Sequence, residues 1–403
     1  MADSSEAVDA STTIPRRILP LIVIAQFLGT SLWFVGNAVA GEVASQWPTA
    51  TGAVGWLTSS VQLGFIAGTL VYAVLALADR FAAHRVFFVS CVLAAAANAL
   101  SLVAPQSLWW FLACRFATGV FLAGIYPVGM KLAASWYQRG LGHAIGLLVG
   151  ALVLGTAFPH LLKTTALPWR PVIISASVLA LLGGIVVAVG VPEGPHVKRQ
   201  RGFDPRRAVA VFRHAGFLRA AFGYFGHMWE LYALWAFVPW ALTMAWPQLS
   251  PEGVSLGSFA VIAVGAIGCV VGGLVSLRRG SARVAIVQLA ISGLCCVASP
   301  WLLPWGGIPA AVLLLVWGIT VVGDSPQFSS LGARMAPPDG VGTALTMMTM
   351  IGFAVTIGSI QWLSALAEPG EPAWLLLILV PGPVVGLIAM APLWRHDPTA
   401  PTP

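Results

Sequence analysis

Twelve stretches of this chain stay apolar for about the length needed to cross a lipid bilayer, and that alone removes most folds. They run over 18–40, 52–77, 86–104, 108–134, 144–162, 170–191, 217–244, 254–276, 284–303, 308–333, 342–366 and 373–393. A helix needs about 20 predominantly apolar residues to span the hydrocarbon core. Backbone N–H and C=O groups find no water there and must be satisfied within the segment, so blocks of this length are expected to be helices. Membrane strands would be about half as long, with alternating polarity, and no such alternation is present. Composition agrees. Charged residues make up 9% of the chain, against about 25% in soluble domains, too few to cover a water-facing surface. The expected fold class is all-α integral membrane, with twelve transmembrane helices.

The blocks divide six and six around Val191–Arg213, the most polar stretch in the chain. It carries Lys198, Arg199, Arg201, Arg206, Arg207 and Arg213 against Glu193 and Asp204, and Pro192 and Pro195 close the apolar run before it. The division is a tail over 1–17, a half over 18–191, a basic linker over 192–216, a second half over 217–393 and a tail over 394–403. Basic residues then set the orientation. With the N-terminus inside, Arg16, Arg17, Arg80, Arg85, Arg139, the linker, Arg278, Arg279, Arg283, Arg334 and Arg395 all fall on one side. The other side keeps Lys163 and Arg170 beside Glu42, Glu252, Glu368 and Glu371, together with Trp47, Trp109, Trp110, Trp169, Trp246, Trp301, Trp305 and Trp374. Cytoplasmic loops are the basic ones and tryptophans mark interfaces, so both termini are expected in the cytoplasm of a cell (inner or plasma) membrane protein.

The same placement argues against nucleic acid as a partner: the net charge of +7 sits in loops beside apolar blocks. The N-terminus has no basic region or cleavage site of a signal peptide, so the first block reads as a retained span. All five cysteines lie inside apolar blocks, as small packing residues rather than a disulfide framework. The three lysines follow Met130, Leu162 and Val197, which leaves no P-loop. H-E-x-x-H does not occur, and the G-x-S-x-G spacing of Gly253-Val-Ser255-Leu-Gly257 falls at the start of an apolar block and not at a strand-to-helix turn. A membrane-embedded enzyme is therefore disfavoured, and no metal or other cofactor is expected.

The halves repeat one another. Gly124-Ile-Tyr-Pro127 matches Gly323-Asp-Ser-Pro326 at an offset of 199 (323 less 124), and Gly140-Leu-Gly142-His-Ala144 matches Gly340-Val-Gly342-Thr-Ala344 at 200 (340 less 140). A duplicated six-helix unit is the signature of a transporter built from two rocking halves. Here the chain resembles the major facilitator superfamily, over nearly its whole length. Asp79-Arg80-Phe-Ala-Ala-His84-Arg85 resembles the family's D-R-x-G-R loop without its glycine, and Arg115-Phe-Ala-Thr-Gly119 resembles its R-x-x-x-G motif. The drug-antiporter motif G-P-x-x-G-G is missing from the fifth block. Arginines of the kind nitrate-type members carry in spans two and eight are also missing. The resemblance implies two pseudo-symmetric six-helix halves, an alternating-access cycle, and a gate involving Asp79, Arg80 and Arg85; Pro127 and Pro326 mark helices expected to bend.

Ionisable groups within hydrocarbon are costly, which makes each a functional candidate. His227 lies about 15 Å into block seven, near the midplane, and Glu230 follows at i+3 on the same face. The two read either as a proton-coupling site or as a pair that only orients the helix. Asp324 sits at the Gly323/Pro326 break, as a second proton site, a substrate ligand or a gate group. Arg115 and Tyr126 are 11 residues apart, on one face if the helix is continuous; Arg115 reads either as a substrate ligand or as a strut to backbone carbonyls. Lys131 is placed to snorkel towards the cytoplasm. Gln26, Ser31, Trp33, Phe34 and Asn37 of block one, with Tyr224, Tyr232, Trp235 and Trp317, suggest an aromatic-lined cavity with few polar handles. Gly142, Gly146, Gly150, Gly268 and Gly272 read as close helix contacts. The expected function is secondary transport of a small organic solute, coupled to protons, by a monomer in the lipid bilayer. An uncoupled uniporter or a multidrug-type exporter of the same fold is the alternative.

Overall fold

The computed structural model describes residues 14–399 apart from 46, 48–51, 105, 138–140, 197–202, 205–208, 338–339 and 367–372. Arg139, Gly140, Glu368, Glu371 and the linker residues Lys198, Arg199, Arg201, Arg206 and Arg207 therefore lie outside the described residues. Among the described residues the chain is built of helices and turns, without a strand. Ten helical stretches are long and apolar enough to cross a membrane: Ala53–Val74, Ala83–Leu100, Leu108–Trp136, Leu141–Lys163, Trp169–Gly190, Pro251–Arg279, Ser281–Leu302, Gly307–Met335, Val341–Leu366 and Ala373–Trp394. Two more helices fill the remaining apolar blocks. Ile18–Thr30 has 13 residues; Ala215–Ala245 has 31, about 46 Å at 1.5 Å per residue and longer than the hydrocarbon core.

Several of these stretches are interrupted. Leu108–Leu122 gives way to Tyr126–Trp136, and Gly307–Gly323 to Ser325–Met335, with Asp324 at the junction. These are the two places marked by the repeated Gly-x-x-Pro. Proline cannot donate an N–H and settles readily into a first helical turn, so it starts the second segment in both cases. The block expected as one run over 18–40 is also interrupted, between Thr30 and the short helix Val35–Ala38, without any proline. Its cause is tertiary and appears below.

The described parts of the linker and of the C-terminal tail gather at one end of the bundle. Trp136 Nε1 donates to the Pro192 carbonyl at 3.0 Å, Gly194 N to Ser135 Oγ at 3.2 Å and Ala83 N to Glu193 Oε1 at 3.2 Å. Arg334 Nε donates to the Pro398 carbonyl at 2.6 Å, and Asp397 Oδ2 accepts from Ala282 N at 2.9 Å. This is called the linker end below, and the opposite one the far end. The halves meet along helices 53–74 and 341–366 on one side and 141–163 and 251–279 on the other. Gly146 and Gly150 lie against Cys269 and Ala266 across the second seam, as the four-residue glycine spacing anticipates. Gly268 and Gly272 serve a different contact, within the second half: a Cβ on Gly268 would stand 2.0 Å from the Ile319 carbonyl oxygen. Large apolar side chains such as Leu294, Ile308 and Ile388 are exposed around the outside, a surface suited to lipid and not to water.

Candidate functional site

A void of about 20 Å³ lies between the halves, lined by Tyr126, Val149 and Leu152 from the first and by Tyr224, Met228, Leu231, Tyr232, Trp235, Val322, Ser325 and Phe353 from the second. That is room for about one water molecule. An aromatic cluster closes it. Trp33 stacks on Tyr232 (5.9 Å between ring centroids) and on Phe353 (5.7 Å), while Phe65 contacts Phe353 at 4.4 Å and Phe34 meets Trp235 edge-on. These contacts cross between halves. Around the cluster, Trp33 Nε1 donates to Gln62 Oε1 at 3.4 Å and Asn37 Nδ2 to Thr58 Oγ1 at 2.7 Å. Buried Trp235 Nε1, Gln62 Nε2 and Asn37 Oδ1 have no hydrogen-bond partner. Trp33, Tyr126, Tyr224 and Tyr232 are thus gathered at the centre, while Asn37 lies beside Thr58 on the far-end side of the cluster. Closer to the far end the halves are also joined, by Gln361 Nε2 donating to Ser59 Oγ at 2.8 Å.

Two buried acids lie beside this void, on another face of the same helices. Glu230 is fully buried. Its Oε1 accepts from Trp317 Nε1 at 2.5 Å, from Cys296 Sγ at 3.2 Å and from Ser292 Oγ in a short contact. Its Oε2 has no partner. Asp324, also fully buried, faces His227, with Oδ1 2.8 Å from Nδ1. The pair is at ion-pair distance, but the ring N–H is off the line to the oxygen, so no well-aligned hydrogen bond forms. His227 therefore finds its acid on helix 307–335 and not at Glu230, the i+3 neighbour. Trp317, expected to line the cavity, is instead the indole donor to Glu230. Phe328 and Tyr224 flank the imidazole at 5.4 Å and 6.0 Å between rings.

Arg115 does not face the void. Its Nη2 donates to the carbonyls of Leu32 (3.0 Å) and Trp33 (2.6 Å), and its Nη1 to Asn98 Oδ1 (3.0 Å). Those two carbonyls belong to the interruption in the first apolar block, so the guanidinium supplies donors that a continuous helix would have supplied. The shared face expected for Arg115 and Tyr126 is lost because the helix breaks between them. At the linker end Lys131 Nζ bridges Asp79 Oδ1 (2.5 Å) and, in a shorter contact, the Ala78 carbonyl. Asp79 thereby ties the 77–80 turn to helix 126–136. Arg80 and Arg85 are exposed.

A profile of the Major Facilitator Superfamily matches residues 20–360. The chain belongs to this superfamily. Among curated relatives, the niacin transporter NiaP of Acinetobacter baylyi is 28% identical over 227 residues, 48% of each chain; the match thus spans about half the length of that relative. The 4-hydroxybenzoate transporter PcaK of Pseudomonas putida is 25% identical over 366 residues, 80% of this chain and 79% of that one. Among solved structures, the E. coli fucose:proton symporter FucP superposes with a TM-score of 0.68 at 14% identity, covering 93% of this chain and 97% of that one. The human organic anion transporter MFSD10 gives 0.69 at 15% identity over 93% and 98%. At such identities the superpositions speak for the fold alone.

As a superfamily member the chain is a multi-pass membrane transporter of a small solute and not an enzyme. Two of its site residues carried little sequence signal. Ser292 and Cys296 sit inside an apolar block that reads as packing, yet with Ser299 they form an i, i+4, i+7 stripe. A polar stripe on an otherwise apolar helix was the available sign that this face meets a polar partner.

Proposed function

We propose that this protein is a proton-coupled secondary transporter that carries a small aromatic solute by alternating access. It would act as a single chain of twelve spans in a cell membrane, with the linker and both termini cytoplasmic. One observation carries the reading: two buried carboxyl groups, Glu230 and Asp324, stand one residue away from the walls of the void between the halves. A bare carboxylate in a low-dielectric interior is costly, and protonation removes most of that cost. An empty carrier that reorients is therefore expected to do so with these groups neutralised. Glu230 Oε1 is saturated by three donors while Oε2 is open, which leaves one oxygen to take and release a proton. Asp324 has His227 for a partner at 2.8 Å, so a proton can be held between this second acid and the imidazole.

The aromatic part of the proposal comes from the walls. Tyr126, Tyr224, Tyr232, Trp235 and Phe353 offer ring faces, phenol hydroxyls and one unpartnered indole N–H. Such walls suit a flat ring with a few acceptors. The two curated relatives carry aromatic acids, which makes nicotinate and 4-hydroxybenzoate the first compounds to try.

The test uses proteoliposomes with an imposed pH gradient and labelled solutes. Wild type is expected to accumulate or expel solute as the gradient dictates. Glu230→Gln, a permanent mimic of the neutral carboxyl, is expected to keep solute–solute exchange and lose gradient-driven accumulation. Wild-type accumulation by this variant would make Glu230 structural and leave Asp324 as the proton site.

A further inference from the structure

An opening much larger than the central void lies away from the interface between the halves. A groove of about 450 Å³ runs down the outside of the second half, between helices 265–279 and 281–302, with Trp394 on its flank. Its walls are Val271, Val275, Val284 and Val287, with Gly272 and Gln288 at the back. Arg279 and Arg283 stand at its mouth, on either side of the Gly280 turn, at the linker end. From Arg279 down to Val271 is eight residues, about 12 Å along the helix. Gln288 lies five residues below Arg283, about 7.5 Å deeper.

Among the described residues the charges at the mouth have no ion-pair partner. Arg283 Nε donates to the Trp394 carbonyl at 3.2 Å, leaving both of its terminal nitrogens free. Among the described residues no carboxylate forms an ion pair with Arg279 or Arg283. Asp397, which is bonded to the Arg283 backbone, is occupied: its Oδ2 accepts from Ala282 N and Arg283 N, and its Oδ1 from Thr399. Two guanidinium groups without an ion-pair partner among the described residues thus sit above an apolar trough that opens sideways into the bilayer. A polar amide lies at the depth of a lipid's ester groups.

We propose that this groove is a binding site for one anionic phospholipid, its phosphate held by Arg279 and Arg283 and an acyl chain laid against the valines. The occupant is identified by its two-part chemistry. A soluble anion would satisfy the arginines and leave the trough empty, and an uncharged lipid would fill the trough and leave the arginines unmatched. Basic pockets between transmembrane helices recognise anionic headgroups for this reason.

Native mass spectrometry of the full-length protein, released from nanodiscs with equal phosphatidylglycerol and phosphatidylcholine of matched chains, tests this whatever the orientation in the membrane. Wild type is expected to retain one phosphatidylglycerol in preference to phosphatidylcholine. The double variant Arg279→Ala/Arg283→Ala should lose that preference by roughly 25-fold, about five-fold per arginine near the surface. Val275→Trp keeps both charges, fills the trough at an exposed position, and should also release the lipid. Arg278→Ala, a neighbouring charge that does not line the groove, should retain it. Unchanged preference in the double variant would overturn the proposal. So would equal loss with Arg278→Ala, which indicates a diffuse basic surface, or full displacement by glycerol phosphate, which indicates a headgroup-only site.

Discussion

Arg115 illustrates how one buried charge is used. Burying a guanidinium is costly unless its donors are engaged, and here Nη1 and Nη2 reach three acceptors. Removing it would leave the carbonyls of Leu32 and Trp33 and the Asn98 amide oxygen without donors, at about 1–3 kcal/mol each. Arg115→Ala is therefore expected to destabilise the protein by on the order of 3–5 kcal/mol, read as a lower unfolding temperature in detergent. Arg115→Lys should recover only part, because an ammonium cannot fork between two carbonyls and an amide. A substrate ligand would behave in the opposite way, with an unchanged unfolding temperature and a raised KM. In sequence the R-x-x-x-G motif already leaned towards the strut; what adds to it is the interruption at 31–34, which has no proline to announce it. The partner of His227 was hidden for a related reason. Helical spacing points to Glu230, whereas the contact is made by Asp324, 97 residues on (324 less 227), through a helix pairing that only the folded bundle creates.

At the scale of the helix, the breaks matter more than the spans. The apolar blocks were legible because hydrocarbon demands self-satisfied backbone, which leaves one solution for a run of about 20 apolar residues. The breaks at Gly124–Pro127 and Gly323–Pro326 were legible too, because repeated Gly-x-x-Pro at matching places in two halves is a backbone instruction. Val264, where helix 251–263 meets 265–279, has no such mark. Each proline opens a helical segment whose preceding turn is free to change pitch. Pro127→Ala and Pro326→Ala, singly and together, restore an amide donor and favour continuity. Turnover is expected to slow by about tenfold, the effect of roughly 1.4 kcal/mol on a reorientation barrier, while solute affinity measured by thermal shift changes little. Transport rates unchanged in the double variant would remove these prolines from the cycle.

At the scale of the molecule, two arrangements follow from charge and closure. The proposed orientation rests on the asymmetry of basic residues, and impermeant thiol labelling of intact cells checks it. In a background without native cysteines, Glu368→Cys should label and Arg201→Cys should not; the reverse pattern would invert the whole bundle. Closure concerns the seam between helices 53–74 and 341–366. A benzene-sized ligand takes a cavity on the order of 150 Å³, against about 20 Å³ at the centre, so the aromatic cluster must part before any ring can enter. The Ser59–Gln361 contact lies on the far-end side of that cluster and holds the halves together there. Cysteines at both positions, joined by a short bis-methanethiosulfonate cross-linker, should therefore stop transport almost completely. A reducible cross-linker should restore the rate on cleavage. Because only one end is tied, solute added from the linker end should still raise the unfolding temperature of the locked protein. Transport by the locked form at its unlocked rate would show that this seam does not open in the cycle, and that entry uses the 141–163 and 251–279 seam instead.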